Sequence, residues 1–379
     1  MTLHPLKIAA VDVIPIRLPL REPFIIAYGV QSDIPSILVR IRTEDGAVGW
    51  GEATPDQIVT GETWSSVAAM LRHDLCPHLI GLDARDREEV LRRMGGLVGE
   101  APAAKAAIDI ALHDLIARSL DVPLWVLLGG RARPHLEISR VVSMLDPDVM
   151  AAKAAEHVAL GFTTVKLKVG DGANPLLDAR RVAAVRDAVG DHISIKVDVN
   201  QGWQTAGVAI QAIRAMLPSA PRYIEQPVAA WDIEGLADVR RMTGATIMID
   251  EGCHGPREMQ RVVALRAADL VNIKLMKTGG ILAAMRTNAI AETAGIVAQI
   301  GTMVESSIAS AAGLHTALAC HNIETVEMGG PLMIAEDIGD LRACYDPPKI
   351  TLTDRPGLGV VVDESAVRRM STDWWEITA

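Results

Sequence analysis

Three short segments carry acidic groups at matching points of their local pattern. "IKVDVNQGW" places Asp198 and Asn200 on one face, "YIEQP" carries Glu225, and "IMIDEG" carries Asp250 and Glu251. Each opens as an apolar, β-branched run, so each carboxylate falls at the C-terminal end of a predicted strand. Like charges held at one level repel and drive protons on. A hard divalent cation removes that conflict. Three carboxylates with positions left open for water and substrate oxygens suit Mg2+ or Mn2+. Helix N-caps or surface acids after unrelated strands explain any one of these residues more easily than all three.

Two further segments add lysines. "TVKLKVG" has Lys166 and Lys168 two residues apart, hence on one face of a strand. "LVNIKLMKTGG" places Lys274 on the face it shares with Asn272. A lysine is rarely buried unless it is paired. A substrate carboxylate held beside the cation, with its α-proton facing one lysine and its opposite face facing another, accounts for both lysine strands. Removing the proton builds an enediolate, whose charge a cation stabilises as it develops. A lysine base needs its pKa lowered towards neutrality, and burial and a like-charged neighbour both do this. On this reading Lys168 and Lys274 move protons, while Lys166 tunes Lys168 and neutralises a substrate oxygen. Lys277, just past the strand and before Gly279-Gly280, is read as a lysine that snorkels to solvent.

These side chains need a frame that brings strand ends together. Residues 7–53 read as strands, with Asp45-Gly46 as a hairpin turn. From about residue 62 to 120 the pattern is helical, clearest in "AAKAAIDIALHDLIARSL". From about residue 135, apolar runs begin near Leu136, Thr164, Ile193, Tyr223, Thr246, Leu270, Ile296 and Glu324, with helical segments in most gaps. Eight strand–helix units predict a parallel (β/α) barrel, with a doubly wound sheet as the runner-up. In a ring of eight, strands two and six lie opposite each other and strands three to five run between them. The predicted organisation is an α+β capping unit over 1–130, a barrel over 131–345, and a segment over 346–379 that returns to the cap.

Composition excludes several classes. A net charge of −10 with no basic tract argues against nucleic-acid binding. No apolar run reaches membrane-spanning length. Cys76, Cys253, Cys320 and Cys344 are scattered with no CxxC pair, as expected of core thiols in a reducing compartment. With no signal-peptide pattern, the expectation is a cytoplasmic protein. The histidines His113, His135 and His315 have no ligand spacing.

As a set, "KLK", "DVN", "EQP", "DEG" and "KLMKTGG" resemble the enolase superfamily in its muconate lactonising enzyme-like subgroup, and the resemblance covers essentially the whole chain. It implies a (β/α)7β-type modified TIM barrel with an α+β N-terminal capping domain, completed by the C-terminal segment. It implies Asp198, Glu225 and Asp250 as Mg2+ ligands and Lys168 and Lys274 as the acid/base pair. Lys166 supports that pair, and Asn200 and Glu251 lie close by. "IAYGVQSDIPSI", "VTGETW", "GTMVESSIASAAGLH" and "PGLGV" resemble N-succinylamino acid racemases, especially those for basic amino acids. That likeness implies substrate contacts from Ser143 and from Thr302, Met303 and Val304. It also implies that the loops bearing Tyr28 and Asp56–Thr60 close over the distal group.

Dipeptide epimerases are the nearest alternative. Their DxD at the eighth strand end holds an ammonium group, whereas Glu327 and Gly329 stand there in this chain, which favours an acylated nitrogen. Cycloisomerase, dehydratase and o-succinylbenzoate synthase reactions need abstraction on one face only, and a non-catalytic metal-binding barrel needs none. Glu305, before Ser306-Ser307, reads equally as a helix cap or a functional acid. The expected partner is a small carboxylate, with no nucleic acid or membrane, in a homo-oligomer.

Overall fold

The structure is a computed structural model and describes residues 5–379. Eight strands form one parallel sheet whose order follows the chain: Arg140–Val142, Thr164–Lys168, Ser194–Asp198, Tyr223–Glu225, Ile247–Ile249, Leu270–Ile273, Val297–Ile300 and Ile323–Val326. They are numbered below as barrel strands one to eight. A parallel bridge from Val326 to Ile138, just before strand one, closes the curl. A sequential order excludes the doubly wound sheet, whose order reverses at a switch point. Helices follow strands one to seven, from Pro147–Ala159 to Ser307–Ala319, and strand eight leads only into the short turn Gly330–Met333. This is a (β/α)7β barrel.

The first repeat starts later than the sequence pattern indicates. Leu136–Glu137 pairs antiparallel with Lys349–Ile350 from the C-terminal segment, and the barrel strand itself begins at Arg140. "LEISRVV" is one continuous β-like run, and periodicity alone cannot tell that its two halves hydrogen-bond to different sheets.

The cap is an antiparallel sheet in the order Trp375–Ile377, Ile8–Ile26, Gly29–Thr43, Val48–Ala53. Its Asp45-Gly46 turn is formed, with Gly46 at φ 85°, a conformation that favours glycine. The alanine-rich helix Pro102–Ser119 lies so close to the sheet that a Cβ at Gly51 would stand 1.9 Å from the Ala107 carbonyl oxygen. The hairpin of the two long strands carries Phe24 and Tyr28 out to the barrel mouth. It is tied there by the Met144 N–H donating to the Ile25 carbonyl at 3.0 Å and the Ile25 N–H donating to Ser143 Oγ at 3.3 Å. Among the described residues, no helix is long and apolar enough to cross a membrane.

His315 joins the barrel to the segments around it. Its Nδ1 accepts from the Trp125 N–H at 3.2 Å, and its Nε2 lies 3.1 Å from the Leu358 carbonyl. The neutral tautomer protonated on Nε2 satisfies both contacts. Burial pushes its pKa down from 6.5 to about 4. The unfolded chain therefore takes up this proton first as pH falls. The residue's contribution is full above the unfolded value and is lost as pH drops from about 6.5 towards 4. Chemical denaturation at pH 7 and pH 4 is expected to show wild type losing about 3 kcal/mol more than His315→Gln. Parallel losses in the two proteins would contradict this assignment.

Candidate active site

Strand register sets the level of the site. Lys168 is the register partner of Asp198, and Asp198 of Glu225, so three strand ends finish side by side. Asp250 is the first residue past strand five. Oxygens of Asp198, Glu225 and Asp250 lie within 4.8 Å of one another, and all three residues are buried. The lysines flank this trio. Lys168 Nζ is 2.7 Å from Asp198 Oδ2 and donates to Asn200 Oδ1 at 2.9 Å. On the other side, Lys274 Nζ is 2.8 Å from Asp250 Oδ2. Lys166 Nζ lies deeper, 2.9 Å from Asp198 Oδ2, 2.9 Å from Glu225 Oε1 and 2.5 Å from Glu327 Oε2.

Of the three carboxylates only Glu225 is driven up as the sequence predicts; burial works to raise Asp198 too, but Lys166 and Lys168 outweigh it and hold that group below the usual range. Burial and then Asp198 raise the Glu225 pKa well above the ordinary carboxylate value. Burial also works to raise Asp250, but Lys274 and Lys277 outweigh it and hold this group well below the usual range. Burial and Asp250 push Glu251 up to about 7, while Asn200 Nδ2 donates to its Oε1 at 3.0 Å. The lysines depart from expectation. Burial lowers the pKa of Lys166 and Lys274, but Asp198, Glu225 and Glu327 around the first and Asp250 and Glu251 beside the second outweigh it, so both are raised. A neighbouring lysine is a weaker influence than a carboxylate in direct contact. The lysine pKa values come down only when the carboxylate charge is matched from elsewhere.

The donor set fits a hard divalent cation. It is all carboxylate, converging from three strands, and its charge is met by lysine ammoniums alone, Lys166 at 2.9 Å from Glu225 Oε2 and Lys277 at 2.6 Å from Asp250 Oδ1. Asn272 Nδ2 steadies the trio from strand six, donating to Glu225 Oε1 at 2.8 Å and to Asp250 Oδ2 at 3.3 Å.

The other anticipated residues fall into separate groups. Thr302, Val304 and Glu327 line a space of about 40 Å3 with Lys166, Lys168 and Lys274. Val304 is held at φ 68°, strained for a β-branched residue and of a kind that collects at functional sites. Ser143 borders an adjoining cavity, and Met303 borders another beside Asp56. Asp56 itself accepts from the Ile58 and Val59 N–H groups and shapes its loop. Tyr28 stands at the hairpin tip, its phenol pKa raised by burial and by Asp56 and Glu251. Glu305 does not cap the following helix. Ser306 does, accepting from the Ile308 N–H at 3.2 Å, while Glu305 Oε2 accepts from the Thr302 hydroxyl.

Lys277 does not reach solvent. It is 1% exposed, lies 2.6 Å from Asp250 Oδ1, and donates to the carbonyls of Asn272 at 3.0 Å and Cys253 at 3.1 Å. The one-turn helix Leu275–Thr278 folds it back under the barrel mouth, where backbone carbonyls replace water. Lys277→Met is expected to cost about 3 kcal/mol in denaturant titrations, because it removes one partner of a buried pair. A change below about 0.5 kcal/mol is what a snorkelling lysine gives.

A second layer under the site was missed by the sequence reading. Lys196 Nζ donates to Gln299 Oε1 at 2.7 Å and Ser139 Oγ at 3.1 Å and lies 3.4 Å from Glu327 Oε1, while the Tyr223 hydroxyl donates to Gln299 at 2.8 Å. The signal was present: Lys196 is two residues before Asp198, so it shares that inward face.

A closed (β/α)7β barrel with a carboxylate trio flanked by lysines, under an α+β cap, defines an enolase-superfamily acid/base enzyme. Comparison agrees: the chain matches the enolase C-terminal domain-like family over residues 149–366 and the mandelate racemase / muconate lactonizing enzyme N-terminal domain over residues 8–129, and it belongs to that family. It is 44% identical over 366 residues to an N-succinyl-L-Arg/Lys racemase of Bacillus cereus, covering 97% of this chain and 98% of the relative. A hydrophobic dipeptide epimerase of Enterococcus faecalis is 39% identical, with 94% and 99% covered. The crystal structure of the B. cereus racemase superimposes with a TM-score of 0.96 at 43% identity, covering 98% of this chain and 100% of that one. That of the E. faecalis epimerase with Mg and L-Leu-L-Tyr gives 0.89 at 38%, covering 93% and 99%. The chain is thus an isomerase of the racemase/epimerase kind.

Proposed function

We propose that the protein racemises N-succinylated amino acids, basic ones foremost, by a two-lysine 1,1-proton transfer. The observation that carries the reading is the placement of Lys168 and Lys274 on opposite sides of the carboxylate trio. One lysine, neutral, takes the α-proton. The other, as an ammonium, returns a proton to the opposite face, and the pair ends with its roles exchanged. Lys166 pairs with the substrate carboxylate and keeps it in the plane that both lysines flank. Asp198, Glu225 and Asp250 would hold Mg2+, which supplies positive charge beside the carboxylate as that group gains a second negative charge. Thr302 and Val304 narrow the space and limit water around the reacting carbon.

A dipeptide epimerase is the second reading, supported by relatives such as the E. faecalis enzyme. The contacts of Glu327 favour the acylated substrate. Its Oε2 is taken by Lys166, and its Oε1 by Ser139 Oγ at 3.3 Å with Lys196 alongside, so it offers no free carboxylate to a substrate ammonium. The test is turnover with Mg2+ of N-succinyl-L-arginine and N-succinyl-L-lysine against a dipeptide panel, followed by polarimetry. The reading expects kcat/KM for the succinyl compounds at least about 100-fold higher. The reverse order selects the epimerase.

A further inference from the structure

The space among the lysines holds little beyond a reacting centre, so the rest of a substrate has to leave through its walls. One wall is Phe24, Arg140, Val141 and Met333, and the same four residues border a second cavity of about 380 Å3 between the hairpin, barrel strand one and the helix Pro147–Ala159. Phe24 stands at the partition, its ring centroid 5.8 Å from Lys168 Nζ. Val141 is the register partner of inward-facing Lys166, so Arg140, one residue away, points to the other side of the barrel wall and into this second cavity.

Arg140 has no settled partner there. Among the described residues its half-buried guanidinium makes no hydrogen bond or ion pair. The acid it senses, Glu22, is committed to Lys153 at 2.7 Å, and Arg21 and Arg342 add further positive charge around it. His157 Nδ1, in the same cavity, is buried with no partner. Burial holds this ring neutral, with its pKa pushed down to about 4, so Nδ1 is able to donate as N–H. A planar fork of unspent donors beside a neutral imidazole matches a carboxylate. The cavity on the Met303 side is bordered by Asp56 and Glu62 together with Arg17, whose guanidinium is paired with Asp33 at 2.9 Å. The two sides of the mouth thus differ in that the Phe24 side holds an unspent guanidinium, whereas the guanidinium on the Met303 side is already paired.

We infer that Arg140, with His157 beside it, is the subsite for the terminal carboxylate of the substrate's acyl arm. This rests on the N-acyl reading above. A succinyl arm spans about 6 Å from the α-carbon to that carboxylate, enough to pass Phe24 into the adjoining cavity. The amino-acid side chain is then left for the Met303 side.

The test compares N-succinyl-L-lysine with its N-succinamoyl analogue, in which a neutral amide replaces the terminal carboxylate. Wild type is expected to prefer the carboxylate by about 30-fold in kcat/KM, mainly through KM. In Arg140→Met the ratio falls to within about threefold of one, and Arg140→Lys retains part of it. Because the readout is a ratio within one protein, a general loss of activity or folding does not imitate it. A wild-type ratio near one, or an unchanged ratio in Arg140→Met or Arg140→Lys, overturns the subsite while leaving the N-acyl racemase standing. Failure of wild type to turn over either compound takes down both.

Discussion

Lys168→Met and Lys274→Met are each expected to lower racemisation by at least about 10³-fold, yet each variant keeps α-proton exchange for one enantiomer, a different one in each case. Loss of a positioned acid or base costs about 10² to 10⁴, and in each variant one of the two faces loses its only proton carrier. The face opposite the surviving lysine stays inert, while the face beside it still exchanges with solvent. This separates a proton-transfer role from a structural one, because a damaged fold slows both enantiomers alike. Asp198 keeps Lys166 at 2.9 Å when Lys168 is replaced, so it is not left unpaired. The measurement is NMR of the α-position in D2O for each enantiomer. Equal residual exchange of both by either variant contradicts the assignment, and Lys274→Met with activity largely retained points to a one-face lyase or cycloisomerase.

Glu225→Gln is expected to abolish Mg2+ binding and lower activity by about 10³-fold or more, with little loss of stability in the metal-free protein. A Lewis-acid charge beside a developing anion is worth several kcal/mol, each 1.36 kcal/mol being tenfold in rate. Stability follows a different logic. Glu225 sits in the trio with its pKa raised by burial and by Asp198, so its charge is resisted by its surroundings. The amide keeps an oxygen for the Asn272 donor and removes that repulsion. Calorimetric titration with Mg2+ and thermal melts with and without the metal check both halves. Wild type is expected to gain melting temperature on adding Mg2+ and the variant to gain none. A variant that binds Mg2+ normally removes Glu225 from the ligand set.

Much of this site was legible in the sequence because its geometry is strand geometry. Lys166 and Lys168 share a face by a period of two, and Asp198, Glu225 and Asp250 each stand where an apolar run ends, so a closed ring forces them together. What was not legible depends on tertiary contacts. Lys277 is buried because carbonyls from two separate segments, the loop after barrel strand five and barrel strand six, converge on it, and nothing local marks that. The raised lysine pKa values follow from which charges touch, a matter of ångströms that strand pattern does not give. Arg140 sits in an unremarkable "SRVV", and only the pairing of Val141 with Lys166 shows which side of the wall it faces. The late start of strand one has the same origin, since the C-terminal segment claims Leu136–Glu137 from about 210 residues further on.

The central claim is that two lysines act on opposite faces of one carbon. It is tested most directly by running wild type with Mg2+ in D2O from N-succinyl-L-arginine and, separately, from its D enantiomer, and reading the α-position of the first product formed. The account predicts deuterium at Cα of the product in both directions, because the returning proton comes from a different lysine than the one that took the substrate's. Product that retains the original proton, or exchange from one enantiomer alone, contradicts it.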